Sequence, residues 1–225
     1  MSEFDDFLAA VDRDGAIAET RAHALATRRR FLGLTVAGVA FAFTQAPRAG
    51  AALPKGDVDI LNYALVLEYL QAAFYTEAEH AGALTGRTAR AARVVGAVER
   101  AHVKAFLQLL GSRAVKRPMF DFRGTTEQQR PFLKTAVAFE DLAVAAYKGQ
   151  ATRIQSKAVL AAAVGIHSVE ARHAAWMREL FGITPAVNAF DQAASRRKIT
   201  GIVASTQFIV AQPATQGRRN PRYTG

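Results

Sequence analysis

Two copies of the motif Glu-x-x-His constrain this chain more than any other feature. Glu99 and His102 form the first copy, and Glu170 and His173 form the second. Residues three apart lie one turn apart on the same helix face, so each copy predicts a helix that presents a carboxylate and an imidazole together. Given the glutamate and histidine content of residues 52–225, chance accounts for only about 0.2 such pairs. The two copies therefore indicate a functional pattern.

A single glutamate precedes each motif at nearly the same distance. Glu68 lies 31 residues before Glu99, and Glu140 lies 30 residues before Glu170. Each of these four glutamates falls in the middle of a stripe of apolar residues with helical spacing. Burying a carboxylate in such a stripe is costly unless another group neutralises it.

The chain repeats itself around the single glutamates. The pattern Glu-x-Leu-x-x-Ala-x-Tyr runs from Glu68 to Tyr75 and again from Glu140 to Tyr147. This duplication predicts a pseudo-two-fold site to which each half contributes the same groups. We expect both tyrosines to support the site by hydrogen-bonding the ligand carboxylates; the alternative is that they are ordinary core aromatics.

Apolar spacing predicts an all-α fold with four long helical segments. They cover residues 57–80, 87–110, 126–150 and 156–181. Asp57 and Ser156 are candidate N-caps. Thr125 with Gln128 is a candidate capping box, and the alternative is a later helix start, because Pro131 would otherwise lie in the second turn. The short connections make two antiparallel hairpins, and residues 111–125 form a longer crossover between them. This connectivity predicts a four-helix bundle, with a short helical extension in residues 189–210.

A dimetal site explains six polar residues in such a core. Four carboxylates and two imidazoles that converge in a bundle hold two divalent metal ions, whose charge balances the four carboxylates. Oxygen and nitrogen ligands suit iron or manganese, and we favour iron. Open positions on these metals permit O2 or peroxide chemistry, so the same residues are the predicted metal ligands and catalytic residues. They are Glu68, Glu99, His102, Glu140, Glu170 and His173.

These residues resemble the ferritin-like superfamily. The stretch Val-Glu-Ala-Arg-His-Ala-Ala-Trp-Met-Arg at residues 169–178 resembles the ferritin-like domain family of exported bacterial and plant desiccation-related proteins. The resemblance covers about residues 55–210, including Asn-Ala-Phe-Asp at 188–191. It implies a ferritin-like dimetal domain over residues 52–211, with all six ligand positions present.

The N-terminal 51 residues have the pattern of an export signal. Arg28 and Arg29 are followed by a short apolar run from Phe31 to Phe43, and Ala49-Gly50-Ala51 fits a signal-peptidase site. The arginine pair resembles a twin-arginine signal, which implies the twin-arginine export machinery as a partner and a periplasmic or extracytoplasmic location. The alternative is a basic helix start followed by a buried helix.

Composition excludes several other classes of site. The chain has no cysteine, which excludes disulfides, thiolate zinc sites and a cysteine nucleophile. Its formal charge is +10, and residues 52–225 carry 23 Lys and Arg against 13 Asp and Glu. The chain has three basic clusters, near residues 113–123, 196–198 and 218–222, and the last lies in a basic tail at 212–225. Such clusters are usually solvated faces, and no nucleic-acid motif accompanies them.

Three functional hypotheses follow. The first is an exported dimetal protein that oxidises metal with O2 or peroxide, in iron handling or protection against oxidative or desiccation stress. The second is a non-enzymatic stress scaffold that binds anionic envelope polymers through its basic face. The third, a DNA-protecting ferritin-like protein, is disfavoured by export. His167 is an additional ligand, a hydrogen-bond donor to a ligand, or a histidine beside the site whose hydrogen bonds are satisfied elsewhere, and we favour the last.

Overall fold

The computed structural model describes residues 53–186 and 188–210. It contains four long helices and one short helix, and this confirms the all-α bundle with a helical extension. The helices are α1 Lys55–Ala81, α2 Gly86–Leu110, α3 Gln129–Ala151, α4 Lys157–Phe181 and α5 Arg196–Thr206. The proposed signal at 1–51 and the basic tail at 212–225 lie outside the described residues. None of the described helices is both long enough and apolar enough to span a bilayer.

The connections between the helices set the topology of the bundle. Helix α1 packs against α2, and α3 packs against α4, so each pair forms a hairpin. The crossover between the hairpins contains a 3-10 turn at Gly111–Arg113 and a short strand, β1, at Met119–Phe120. That strand pairs antiparallel with β2 at Ile209–Val210. The crossover is thereby fixed to the chain that follows the bundle.

The helix ends follow local chemistry in most places. The Ser156 side chain accepts a hydrogen bond from the Val159 N–H and caps α4, and Gly182 ends that helix with a φ of 87°. Helix α3 begins at Gln129, with Gln128 at the N-cap position and no side-chain cap. The expected Thr125–Gln128 capping box is therefore wrong: the Thr125 hydroxyl donates instead to the Phe122 carbonyl.

The segment after the bundle is seated on α3 at a glycine. The Ala194 N–H donates to the Ala145 carbonyl at 3.0 Å. A Cβ atom at Gly149 would overlap the Ala194 carbonyl oxygen, so only glycine permits this close approach. Beyond it, α5 buries Ile199 and Val203.

An aromatic cluster fills one side of the core. Phe74 stacks on Phe132 with ring centroids 5.1 Å apart, and Phe122 and Phe139 meet Phe74 edge-to-face. Such ring pairs contribute about 0.5–1.5 kcal/mol each beyond the area they bury. The cluster joins α1, α3 and the crossover into a single core.

Asp57 has a different role from the one its position predicts. It lies inside the first turn of α1, which begins at Lys55, so the expected N-cap is wrong. Its fully buried carboxylate accepts hydrogen bonds from the backbone N–H groups of Gln155 at 2.9 Å and Ser156 at 2.8 Å. Asp57 therefore ties the start of α1 to the loop that begins α4.

We predict that Asp57→Ala lowers the free energy of unfolding by about 2–4 kcal/mol, because two partly buried backbone hydrogen bonds lose their charged acceptor. Asp57→Asn retains one acceptor oxygen, so it is the matched control and we expect a smaller loss. Urea denaturation of the full chain measures both. Equal stability of the wild type and Asp57→Ala would contradict this role.

Candidate metal centre

The structure brings all six predicted ligand residues into one buried cluster. All four long helices contribute from their middle parts: α1 supplies Glu68, α3 supplies Glu140, and α2 and α4 supply one Glu-x-x-His pair each. The four glutamates are at most 1% exposed, and the histidines are 2% and 6% exposed. The carboxylate oxygens and the imidazole Nδ1 atoms face one another across the bundle axis.

The cluster divides into two overlapping groups of possible ligands, each with atoms within 4.8 Å of one another. One group contains Glu68 and His102, and we call it the His102 position. The other contains Glu140 and His173, and we call it the His173 position. The remaining two glutamates, Glu99 and Glu170, belong to both groups.

The orientation of the shared glutamates explains this overlap. Glu99 places Oε1 2.9 Å from Nδ1 of His173 and Oε2 3.5 Å from Nδ1 of His102. Glu170 places Oε1 3.2 Å from Nδ1 of His102 and Oε2 4.0 Å from Nδ1 of His173. The two motif glutamates therefore lie between the two positions, whereas Glu68 and Glu140 each serve a single position.

Both predicted tyrosines contact the cluster, and each contacts the opposite half. The Tyr75 hydroxyl on α1 donates to Glu140 on α3, and the Tyr147 hydroxyl on α3 donates to Glu68 on α1. Burial raises the pKa of both tyrosines well above its usual value, and the charge of the glutamate that each contacts raises it further. The tyrosines thus remain hydrogen-bond donors that orient the two single-position glutamates.

Gln71 is a member of the site that the sequence reasoning missed. Its side-chain amide donates to Oε2 of Glu140 at 3.2 Å and to Oε2 of Glu170 at 3.4 Å. The residue at the matching place of the repeat is Ala143, which has no polar side chain. Comparing the two halves residue by residue would have found this difference. The amide makes the His173 position chemically distinct from the His102 position.

Burial and neighbouring charges shift the pKa values of three cluster glutamates, and not all in the same direction. Burial raises the pKa of Glu170 well above its usual value, and the charge of Glu99 adds to this. Burial also raises the pKa of Glu68, although His102 partly offsets that rise. Burial alone would raise the pKa of Glu99, but the adjacent His102 and His173 outweigh it and lower that pKa to about 2.

The carboxylates around the two imidazoles raise the pKa values of both histidines. Burial alone would lower their pKa values, but the facing glutamates raise the pKa of both His102 and His173 well above the usual value. Protons on the imidazoles thus neutralise part of the carboxylate charge when no cation is bound.

Several donor atoms of the cluster are buried without a hydrogen-bond partner in the described part of the chain, and this arrangement suits metal ligands. Both oxygens of Glu99, Oε1 of Glu170 and Nδ1 of His173 are buried without an aligned hydrogen-bond partner among the described residues. They lie at ion-pair distances from their neighbours but outside hydrogen-bonding geometry. Unsatisfied buried oxygen and nitrogen atoms aimed at common points are the arrangement that metal coordination satisfies.

The sequence model of the ferritin-like domain family matches residues 56–182, more than half of the chain. The chain belongs to the ferritin-like family. No curated protein matches the chain. The match spans the four long helices and all six clustered residues, so the buried Glu and His groups are compatible with the dimetal site of a ferritin-like bundle.

Other candidate residues lie apart from this ferritin-like site. His167 is half-buried and belongs to neither group of possible ligands. In the basic clusters, Arg117 lies over the Phe120 ring and Arg196 over the Tyr63 ring, so part of their charge is engaged in cation–π contacts. Residues 218–222 lie outside the described part of the chain.

We predict different metal stoichiometries for the two kinds of glutamate. Glu99→Gln removes a ligand from both positions, so we expect loss of nearly all bound metal. Glu68→Gln removes a ligand only from the His102 position, so we expect roughly one ion per chain instead of two. Calorimetric titration of metal-free protein with Mn²⁺, with metal analysis of the product, measures both.

The matched control is Glu79→Gln, which changes a glutamate of α1 that pairs with Arg100 away from the site. It should retain the wild-type stoichiometry. An equal effect of Glu99→Gln and Glu68→Gln would contradict the shared role of Glu99.

We also predict that metal binding releases protons and weakens as the pH falls. The pKa values of His102 and His173 are raised, so the metal-free imidazoles are protonated near neutral pH, and a cation must displace these protons. Affinity should therefore increase with pH from about 6 to 8. Calorimetry in buffers of different protonation enthalpy counts the released protons, and an affinity independent of pH would contradict this prediction.

Proposed function

We propose that this ferritin-like protein binds two iron ions, with manganese as the alternative metal, and uses them to reduce O2 or peroxide. The observation that carries the proposal is that Glu99 and Glu170 each face both histidines. Glu99 and Glu170 would hold two cations as an adjacent pair, which would supply the two electrons that reduction of O2 or peroxide needs.

The ligand set also supports charge balance. Four carboxylates match the charge of two divalent ions, and the two neutral imidazoles complete the set without adding charge. The residues that would hold the ions are Glu68, Glu99 and Glu170 with His102 at one position, and Glu99, Glu140 and Glu170 with His173 at the other.

The reaction that we propose balances as follows. With Fe²⁺ as substrate, two ferrous ions would lose one electron each, and O2 would take up these two electrons and two protons from solvent to become hydrogen peroxide. With peroxide as oxidant, two electrons and two protons yield two molecules of water. Tyr75 and Tyr147 hold Glu140 and Glu68 in place by hydrogen bonds, and the protons on the buried histidines leave as cations enter.

The biological setting that we propose is outside the cytoplasm. Arg28 and Arg29, the apolar run after them and Ala49-Gly50-Ala51 support export by the twin-arginine route. That route carries folded proteins, so metal can be bound before export. Iron handling, or protection against oxidative or desiccation stress, is the role that such a site would serve there.

The basic surface supports a second candidate function, an envelope-binding scaffold. Of the 13 acidic residues in residues 52–225, the four cluster glutamates and Asp57 are buried, which leaves eight acids against 23 bases. A surface with this excess of positive charge attracts anionic polymers by a salt-sensitive interaction.

The test is metal analysis of protein produced in iron-replete and manganese-replete cells, followed by anaerobic addition of Fe²⁺ and then of O2 or peroxide. We expect the wild type to contain metal and to oxidise Fe²⁺, because the shared carboxylates hold the ions together. Glu170→Ala should abolish both properties, and Glu79→Gln should retain them.

A protein that binds no metal, and in which Glu170→Ala changes nothing, would overturn the dimetal proposal. Salt-sensitive binding to an anionic polymer that survives loss of all six ligands would then favour the scaffold.

A further inference from the structure

The two halves of the bundle differ in what lies behind each tyrosine. Tyr75 is fully buried and meets the rings of Phe74 and Phe132 edge-to-face, 5.5 and 5.8 Å away between centroids. Tyr147 instead forms part of the wall of a cavity between α1, α3 and α4. The hydroxyl of Tyr147 donates to Glu68, so the Tyr147 side chain lies between this cavity and the His102 position.

The wall of the cavity is almost wholly apolar. Leu61, Leu67, Phe106, Val159 and Ile166 line it, together with the ring of Tyr147. The space open to the centre of a water-sized molecule is about 20 Å³, which is room for one small molecule. A water molecule needs two or more polar partners in such a place, whereas apolar cavities stay dry and accept apolar gases.

A surface groove adjoins this cavity. The groove lies between α1 and α5, and Tyr63 and Leu67 line both the groove and the cavity. The Tyr63 hydroxyl is buried without a hydrogen-bond partner among the described residues, and the guanidinium of Arg196 lies 5.0 Å from the centre of its ring. Tyr63 and Leu67 therefore form the partition between groove and cavity.

We propose that this cavity is the dioxygen site of the protein, entered from the groove past Tyr63 and Leu67. The identity of the gas rests on the proposed function, since O2 is the uncharged, apolar oxidant that such a site would consume. The cavity serves the His102 position alone, because aromatic rings close the Tyr75 side. Peroxide is polar, so it gains nothing from this route.

The direct test detects O2 itself in the full-length protein loaded with redox-inactive zinc. O2 is paramagnetic, so under elevated O2 pressure it broadens the NMR signals of methyl groups beside which it resides. We expect stronger broadening at Leu61, Val159 and Ile166 than at Leu70, a buried residue outside the cavity wall. Equal broadening at all four residues would overturn the proposal.

A pair of alanine variants on α4 tests the cavity by filling it. Ala163 lines the cavity and is only partly buried, so Ala163→Leu reduces the space with little strain elsewhere. Ala161 is exposed on the same helix, and Ala161→Leu is the matched control. We expect Ala163→Leu to remove the extra broadening and Ala161→Leu to retain it. If Ala163→Leu does not fold, the comparison among wild-type methyl groups still decides the question.

The rate of iron oxidation, compared with the O2 broadening, distinguishes the cavity proposal from the proposed function. Ala163→Leu should slow oxidation of bound Fe²⁺ by O2 by about tenfold, equivalent to about 1.4 kcal/mol in the barrier, and leave the rate with peroxide unchanged. Local O2 broadening in a wild type that oxidises no iron supports the cavity and overturns the proposed function. Oxidation by O2 without local broadening overturns the cavity and supports the proposed function.

Discussion

Four carboxylates buried within one bundle are the constraint on which the rest of this structure depends. Taking an ion out of water costs several kcal/mol even after the protein relaxes. Here the carboxylates are offset by the two imidazoles, by the hydroxyls of Tyr75 and Tyr147, and by the amide of Gln71. These groups come from all four long helices, so the cluster can form only when the four helices are in place.

The duplication in the sequence gives a symmetric ligand set in surroundings that are not symmetric. The tyrosines cross between the halves, so that each hairpin orients a glutamate of the other. Gln71, with Ala143 at the matching position, breaks this symmetry and adds two hydrogen bonds at the His173 position. The aromatic cluster and the apolar cavity break it again on the outer sides of the tyrosines. Two cations in equivalent ligand sets would therefore differ in their surroundings.

The sequence predicted the parts that depend on regular spacing. These parts are the Glu-x-x-His motifs, the apolar stripes with helical spacing and the short connections, all of which are local patterns. They predicted the four helices and the convergence of Glu68 and Glu140 with the two motifs. Gln71 escaped because a single glutamine on a helix has no pattern of its own. The local pattern predicted Asp57 as the N-cap of its own helix. Its actual partners, the N–H groups of Gln155 and Ser156, lie 98 and 99 residues away and leave no local signal. Two-residue strands such as β1 and β2 are too short to show any periodicity.

The contrast between an acidic core and a basic surface affects how cations reach the cluster. The acids of the cluster lie inside, and the surface that remains is strongly basic, so a cation approaching the folded protein meets a repulsive field, whereas uncharged O2 does not. We expect cations to be acquired more easily while the helices assemble and the carboxylates are still accessible, because metal binding and folding would then be coupled. Export in the folded state, as proposed from Arg28 and Arg29, would preserve a cluster filled in this way. The basic surface and the acidic centre thus favour the same order of events, with metal bound before the surface closes around it.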